Sequence, residues 1–163
     1  METMSHRLLD APQLHDIVLP ALPDDERQWI PLNDEVQVHP LMFDITRGGW
    51  VNLLKVVPNG RLACHVHPNP VHAYTLQGSW GYLEHDWTAR AGDYVYEPPG
   101  EVHTLIVGPE GMVGMFNTTG SVIYVTPDGT PTGYDTVHTR IDLARRHYRS
   151  VGLDVGYLDS ITR

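Results

Sequence analysis

Two stretches decide how this chain is read: CHVHPNPVHAYTLQG at residues 64–78 and AGDYVYEPPGEVH at residues 91–103. The first places His65, His67 and His72 around a Pro68-Asn69-Pro70 turn, and the second delivers His103 after Pro98-Pro99-Gly100. On a strand, residues two apart project to the same face, so His65 and His67 can converge on one point. His72 shares a face with Tyr74 and Leu76 on the next run, and so could return to that point as a fourth ligand or stand just behind the ligands. Imidazoles gathered in this way can hold iron, zinc, nickel or copper, so the ligand type alone does not name the metal. A His-x-His pair means little in a chain with ten histidines. The glycine punctuation gives it weight, with Gly60 and Gly78 framing the first segment and Gly92 and Gly100 ordering the second.

Outward from these segments, short runs rich in Val, Ile, Leu, Tyr and Thr alternate with turn residues, the signature of many short strands closed into a sandwich or barrel. Strands are expected at 36–45, 50–57, 62–67, 72–77, 80–85, 93–97, 103–107, 112–117 and 121–126. Breaks at Pro58-Asn59-Gly60, Gln77-Gly78, Ala91-Gly92-Asp93 and Pro127-Asp128-Gly129 supply the fixed or permissive dihedrals that turn a chain. Near the C-terminus Ile141, Ala144, Tyr148 and Val151 recur at helical spacing until Gly152, which predicts a short amphipathic helix with a glycine stop. The expectation is an all-β single domain, with an extended arm over about 1–33, a barrel over about 34–127, and a C-terminal helix and tail over about 134–163. Pro12, Pro20, Pro23 and Pro31 keep the arm extended. Such an arm can cover a neighbour's sheet edge, so a homodimer or homotetramer is expected.

Composition narrows the function. The 163 residues suit one domain with a sizeable core. A formal net charge of −9 argues against nucleic acid and against an anionic membrane as partner, because both are bound mainly through clustered Lys and Arg. The local exception, Arg140, Arg145, Arg146 and Arg149, reads as the solvated face of the helix. No apolar run reaches the roughly 20 residues of a membrane span, and METMSHRLLDAPQLHD lacks the apolar stretch of a signal peptide. A cytoplasmic location is therefore expected. The single cysteine, Cys64, excludes an intrachain disulfide and should face away from His65 as a packed core thiol.

The paired glycine- and histidine-bearing segments resemble the two cupin motifs, which implies a double-stranded β-helix, or jelly-roll barrel. Residues 48–107, GGWVNLLKVVPNGRLACHVHPNPVHAYTLQGSWGYLEHDWTARAGDYVYEPPGEVHTLIV, resemble the core of the 2,4'-dihydroxyacetophenone dioxygenases. The ARRHYRSVGLDVGYLD run resembles their tail, and the YLEHDW and GEVHTL runs are specific to that branch. More distantly the chain is similar to the acetylacetone-cleaving dioxygenases. The resemblance implies a non-heme iron(II) centre held by His65, His67 and His103, which admits a bidentate oxygenated substrate and O2 and breaks a carbon–carbon bond. Zinc or nickel could occupy such a site in purified protein. The chain departs from the general cupin pattern at His72, which stands where a glutamate is common.

A ligand set of neutral imidazoles leaves the full dipositive charge to an incoming anionic chelator such as an enolate. Glu97, six residues before His103, could orient or deprotonate substrate if its side chain points inward, with the depressed pKa usual beside a cation. Glu84 in YLEHDW is a further candidate carboxylate, as ligand or as partner of one. Both also read as solvated or structural carboxylates. Trp50, Leu53, Tyr74, Trp80, Tyr82, Trp87, Met115 and Phe116 are candidate pocket walls, though most large side chains in a small barrel only fill the core. Two further readings are a non-catalytic zinc-binding cupin that senses a ligand, and a cupin isomerase or hydrolase using its ion as a Lewis acid.

Overall fold

The computed structural model describes residues 14–20 and 22–163; Pro12 and the rest of the expected arm's first thirteen residues lie outside them. The described chain forms ten strands and is dominated by one curled antiparallel sheet. In order these are β1 (Ile30–Pro31), β2 (Val36–Asp44), β3 (Gly49–Val56), β4 (Arg61–Val66) and β5 (Val71–Tyr82). They continue with β6 (Ala89–Arg90), β7 (Tyr94–Glu97), β8 (Val102–Thr118), β9 (Val122–Val125) and β10 (Pro131–Asp135). The sheet runs β1-β2-β3-β8-β4-β9-β10, and β5 pairs with β8, β6 and β7. Rolling the sheet puts Trp50, Leu54, Val71, Ala73, Trp80, Leu105 and Phe116 in a shared core.

Four expected strands merge into two. The runs at 72–77 and 80–85 lie in or overlap β5, and those at 103–107 and 112–117 lie in β8. Gly78, which looks like a turn in the sequence, is a bend within the continuous β5. The β5–β8 register slips between Thr75 and Gln77 and again between Gly78 and Trp80, as β-bulges do. Gly78 has φ +70°, and a Cβ placed on it would lie 1.8 Å from the Gly111 carbonyl oxygen, so only glycine permits this approach. The short β1, β6 and β10 carry too few residues for an alternation to show, and the sequence reading did not place them.

The C-terminal helix forms as expected. Helix α1 (Val137–Ser150) opens with a capping box in which Thr136 accepts from the Thr139 amide and the Thr139 hydroxyl accepts from the Thr136 amide. It buries Val137, Arg140, Ala144 and Tyr148. Leu143 and Ala144 help line a small cavity with Ile30, Val38 and Phe43 from β1 and β2. Gly152, at φ +72°, follows the helix, and the short α2 (Gly156–Ser160) leads to a tail held by β2, where the Phe43 amide donates to the Ile161 carbonyl at 3.0 Å. Upstream of the barrel, Leu22 and Trp29 pack on Leu53 and Val113, so part of the expected arm covers the outside of its own sheet. No helix among the described residues is long and apolar enough to cross a membrane.

Candidate metal centre

Strand pairing brings the three motif histidines together. His65 on β4 stands opposite His103 on β8, and His67 follows at the end of β4. The turn that carries the second motif is tied to the first by one backbone bond, the Gly100 amide donating to the His67 carbonyl at 2.8 Å. The rings lie 4.7 Å (His65–His103), 4.8 Å (His65–His67) and 5.6 Å (His67–His103) apart between centroids. One ligating atom from each can be chosen so that all lie within 4.8 Å of one another, and all three residues are buried. The His65 Nδ1–H donates to the Ala63 carbonyl at 2.7 Å, which leaves its Nε2 as a lone pair. Tyr82 stacks flat on His103 at 3.8 Å and 7°, fixing that ring's plane.

The electrostatics suit a cation. Burial pushes the pKa values of His67 and His103 down to about 3, and His65 is also lowered by burial. Near neutral pH all three are uncharged, the form that binds metal. Both ring nitrogens of His103 and the Nδ1 of His67 lack a hydrogen-bond partner within the protein. A convergent set of neutral buried donors with orphaned nitrogens fits an imidazole-binding divalent ion such as iron, zinc or nickel.

Glu97, at the end of β7, faces the same point and is only 2% exposed. Its Oε2 lies 3.4 Å from His67 Nε2 and 3.8 Å from His103 Nε2. Distance alone would make these ion pairs, but the histidines are neutral at any pH where Glu97 ionises. Burial raises the Glu97 pKa to about 7 against the opposing effect of the Tyr82 hydroxyl, whereas the sequence reading expected a depressed value. A cation on the three histidines would pull it back down.

Two candidates point elsewhere. His72 is exposed and bonds through Nδ1 to the Tyr94 hydroxyl at 2.7 Å. Its shared face with Tyr74 is real, but Val71, Ala73 and Thr75 take the inner face of β5, so His72 is not a ligand here. Glu84 lies past the end of β5 and accepts from the Thr104 amide at 2.9 Å, outside the histidine cluster. Cys64 is half-buried and not the packed core thiol expected.

His65 and His67 open into a small cavity. Trp50, Tyr82 and Phe116 line it as expected. Leu53 lies in the outer cluster with Trp29, Tyr74 and Met115 are exposed on the outer face, Trp80 is core, and Trp87 is 38% exposed. Arg140 also lines the cavity, although it was read as a solvated arginine. The signal was present in the helical spacing, since Arg140, Ala144 and Tyr148 recur every four residues on one face.

These pKa shifts predict acid lability in chelator. The unfolded histidines titrate near 6.5, so the stability held by His67 and His103 is complete above that pH and is lost as pH falls towards 3. By pH 5 each loses about 2 kcal/mol, while protonation of Glu97, whose pKa is raised, returns about as much as one of them. The expected net is a loss of about 2 kcal/mol and a Tm lower by about 5 °C than at pH 7. Glu97→Gln should steepen the fall, as differential scanning calorimetry with EDTA would show.

The model of the ChrR cupin-like domain family matches residues 21–123. Among solved structures, an RmlC-like cupin from Ralstonia eutropha JMP134 is 28% identical at TM-score 0.73, with 77% of this chain and 84% of that one covered. A cupin-fold protein of unknown function from the same organism is 24% identical at TM-score 0.74, covering 87% and 90%. The acetylacetone dioxygenase of Acinetobacter johnsonii has the same fold at TM-score 0.70 and 13% identity, covering 85% and 99%. No curated protein matches the chain in sequence. The curled sheet, the two glycine-and-histidine segments and the family match agree: the chain belongs to the ChrR cupin-like family of cupins.

Proposed function

We propose that the chain is a non-heme iron(II)-dependent dioxygenase that cleaves a carbon–carbon bond of a small aryl hydroxyketone or dicarbonyl compound. The observation that carries this reading is a site of three neutral imidazoles with a single buried carboxylate, Glu97, beside them and an apolar cavity in front. Bound iron(II) would supply a chelation point for an oxygenated anion and the redox chemistry with O2.

The protein's own groups do the rest. With no carboxylate among the three histidines, a bound dication would keep its full charge for an enolate or a deprotonated hydroxyketone, Glu97 being the carboxylate that stands beside them. Glu97 faces the point such a substrate would occupy, and a cation on the histidines, by drawing its raised pKa back down, would keep it ionised and able to take the acidic proton near neutrality. Tyr82, stacked on His103 and close in charge terms to Glu97, holds the ring that Glu97 faces. Trp50, Leu62, Leu105 and Phe116 wall the cavity with apolar surface and keep water from the reacting carbon. The fold shared with the Acinetobacter johnsonii enzyme is compatible with this chemistry. The family match to a ChrR cupin-like domain favours a second reading, a zinc-binding module without turnover.

The test is O2 consumption by anaerobically iron-loaded protein given 2,4'-dihydroxyacetophenone or a simple 1,3-diketone. Uptake matched by substrate loss is expected with at least one of them. Glu97→Gln should keep its iron and lose about 10²- to 10⁴-fold in kcat, the usual range for a general base. No uptake with either compound, together with tight zinc binding, would leave the non-catalytic reading in its place.

A further inference from the structure

We propose that Arg140 is an anion anchor, and that the pocket takes a carbonyl compound bearing a carboxylate, its carbonyl oxygens towards the histidines and its carboxylate towards α1. The carbonyl end of this inference rests on the function proposed above, while the anion end rests on Arg140 alone.

Arg140 is 9% exposed, yet it lines the same cavity as His65, His67 and Glu97. Its Nη2 pairs with Asp135 Oδ2 at 2.8 Å and lies 3.4 Å from the Tyr124 hydroxyl. Its guanidinium carbon stands 5.4 Å from the Trp50 ring centroid. Nε and Nη1 are fully buried and have no partner. A buried charged donor left unpaired costs more than the roughly 1–3 kcal/mol of a neutral one, so an empty pair of guanidinium nitrogens in an apolar wall calls for an acceptor.

The protein does not supply one. Asp135 is the one carboxylate within ion-pair distance of Arg140 among the described residues, and it is shared with the Tyr124 and Thr139 hydroxyls. Glu97 lies elsewhere in the cavity wall, against the imidazoles. The cavity therefore has two poles, a metal-ligating cluster with a base and a guanidinium with free donors. Tyr124 neighbours both, its hydroxyl 3.4 Å from Arg140 Nη2 and its ring centroid 6.3 Å from that of His65, and Leu62, Leu105 and Phe116 add apolar wall. A ligand that satisfies both carries an enolisable or hydroxylated carbonyl and an anionic oxygen. A neutral diketone satisfies one pole and leaves Nε and Nη1 of Arg140 unpaired.

Two ligands with the same chelating portion separate the cases: 4,6-dioxoheptanoate, whose carboxylate stands two methylenes from the dione, and octane-2,4-dione, which ends in an alkyl group. Calorimetric titration of zinc-loaded protein, which cannot turn over, is expected to show the anion binding at least tenfold more tightly. Arg140→Gln should erase that preference, bringing the two affinities within about twofold of each other, with calorimetry confirming that the variant is folded. The comparison within the unaltered protein does not depend on the variant. Equal affinities there, or undiminished anion binding by Arg140→Gln, would overturn the anchor and leave the dioxygenase reading standing. Tight anion binding through Arg140 without O2 uptake by iron-loaded protein would do the reverse. Binding of neither ligand would overturn both.

Discussion

Replacing His67 by alanine is expected to abolish metal retention and, with it, turnover, while the barrel still folds. His67 is one of only three residues in the buried cluster, and cluster and cavity are shared by strands that pair without its ring. Removing one imidazole leaves a two-histidine site, and loss of a catalytic ion forfeits several kcal/mol of charge stabilisation, at least about 10³-fold in rate. Elemental analysis after dialysis should find metal near one equivalent in the unaltered protein and near zero in the variant. The informative control is His72→Ala. His72 is exposed and engaged with Tyr94, so its loss should leave metal content and rate unchanged; a drop in metal content would restore it as a fourth ligand. Metal retained by His67→Ala would refute the three-histidine site itself.

Gly78→Val is expected to prevent folding. The new Cβ would sit 1.8 Å from the Gly111 carbonyl oxygen, 2.8 Å from its carbon and 3.0 Å from the Met112 Cα, all backbone, so no side chain can swing away. The +70° φ adds about 1–2 kcal/mol of left-handed strain. To relieve the clash β5 and β8 must separate where they cross, and the total should exceed about 5 kcal/mol, comparable with the whole stability of many domains. The variant should appear in the insoluble fraction. Gly129→Ala is the matched control, since its φ is +87° but nothing lies within 4 Å of the added carbon. It should cost only about 1 kcal/mol, from backbone strain alone.

The barrel and the centre were legible because they depend on local spacing. His65 and His67 share a face by parity, and the glycine-flanked turns put His103 opposite His65. Parity also grouped His72 with Tyr74 and Leu76, but parity cannot say which face of a strand looks inward. The small and β-branched Val71, Ala73 and Thr75 settle that on β5, and their burial is a matter of packing against β8. Glycine misled at Gly78, where the same permissive dihedral that makes a turn instead makes a bulge. The difference lies in a partner strand distant in sequence. Arg140 was misread because a charge cluster on a helix is normally solvated. Arg145, bonded to Asp159 at 2.7 Å on the surface, follows that rule. Arg140 breaks it because the helix face that carries Ala144 and Tyr148 also carries the guanidinium towards the barrel.

The order in which the site's parts occur along the chain has a consequence for how it is filled in a cell. All three imidazoles precede β9, whereas Arg140 and the helix that brings it to the cavity come last. A chain growing from its N-terminus therefore exposes its histidines before it exposes α1. During that interval the nascent barrel can capture a divalent ion but has no finished wall with which to choose an organic molecule. Which ion enters is then set by what surrounds the histidines during that interval, and selection of a small molecule waits until α1 docks on the barrel.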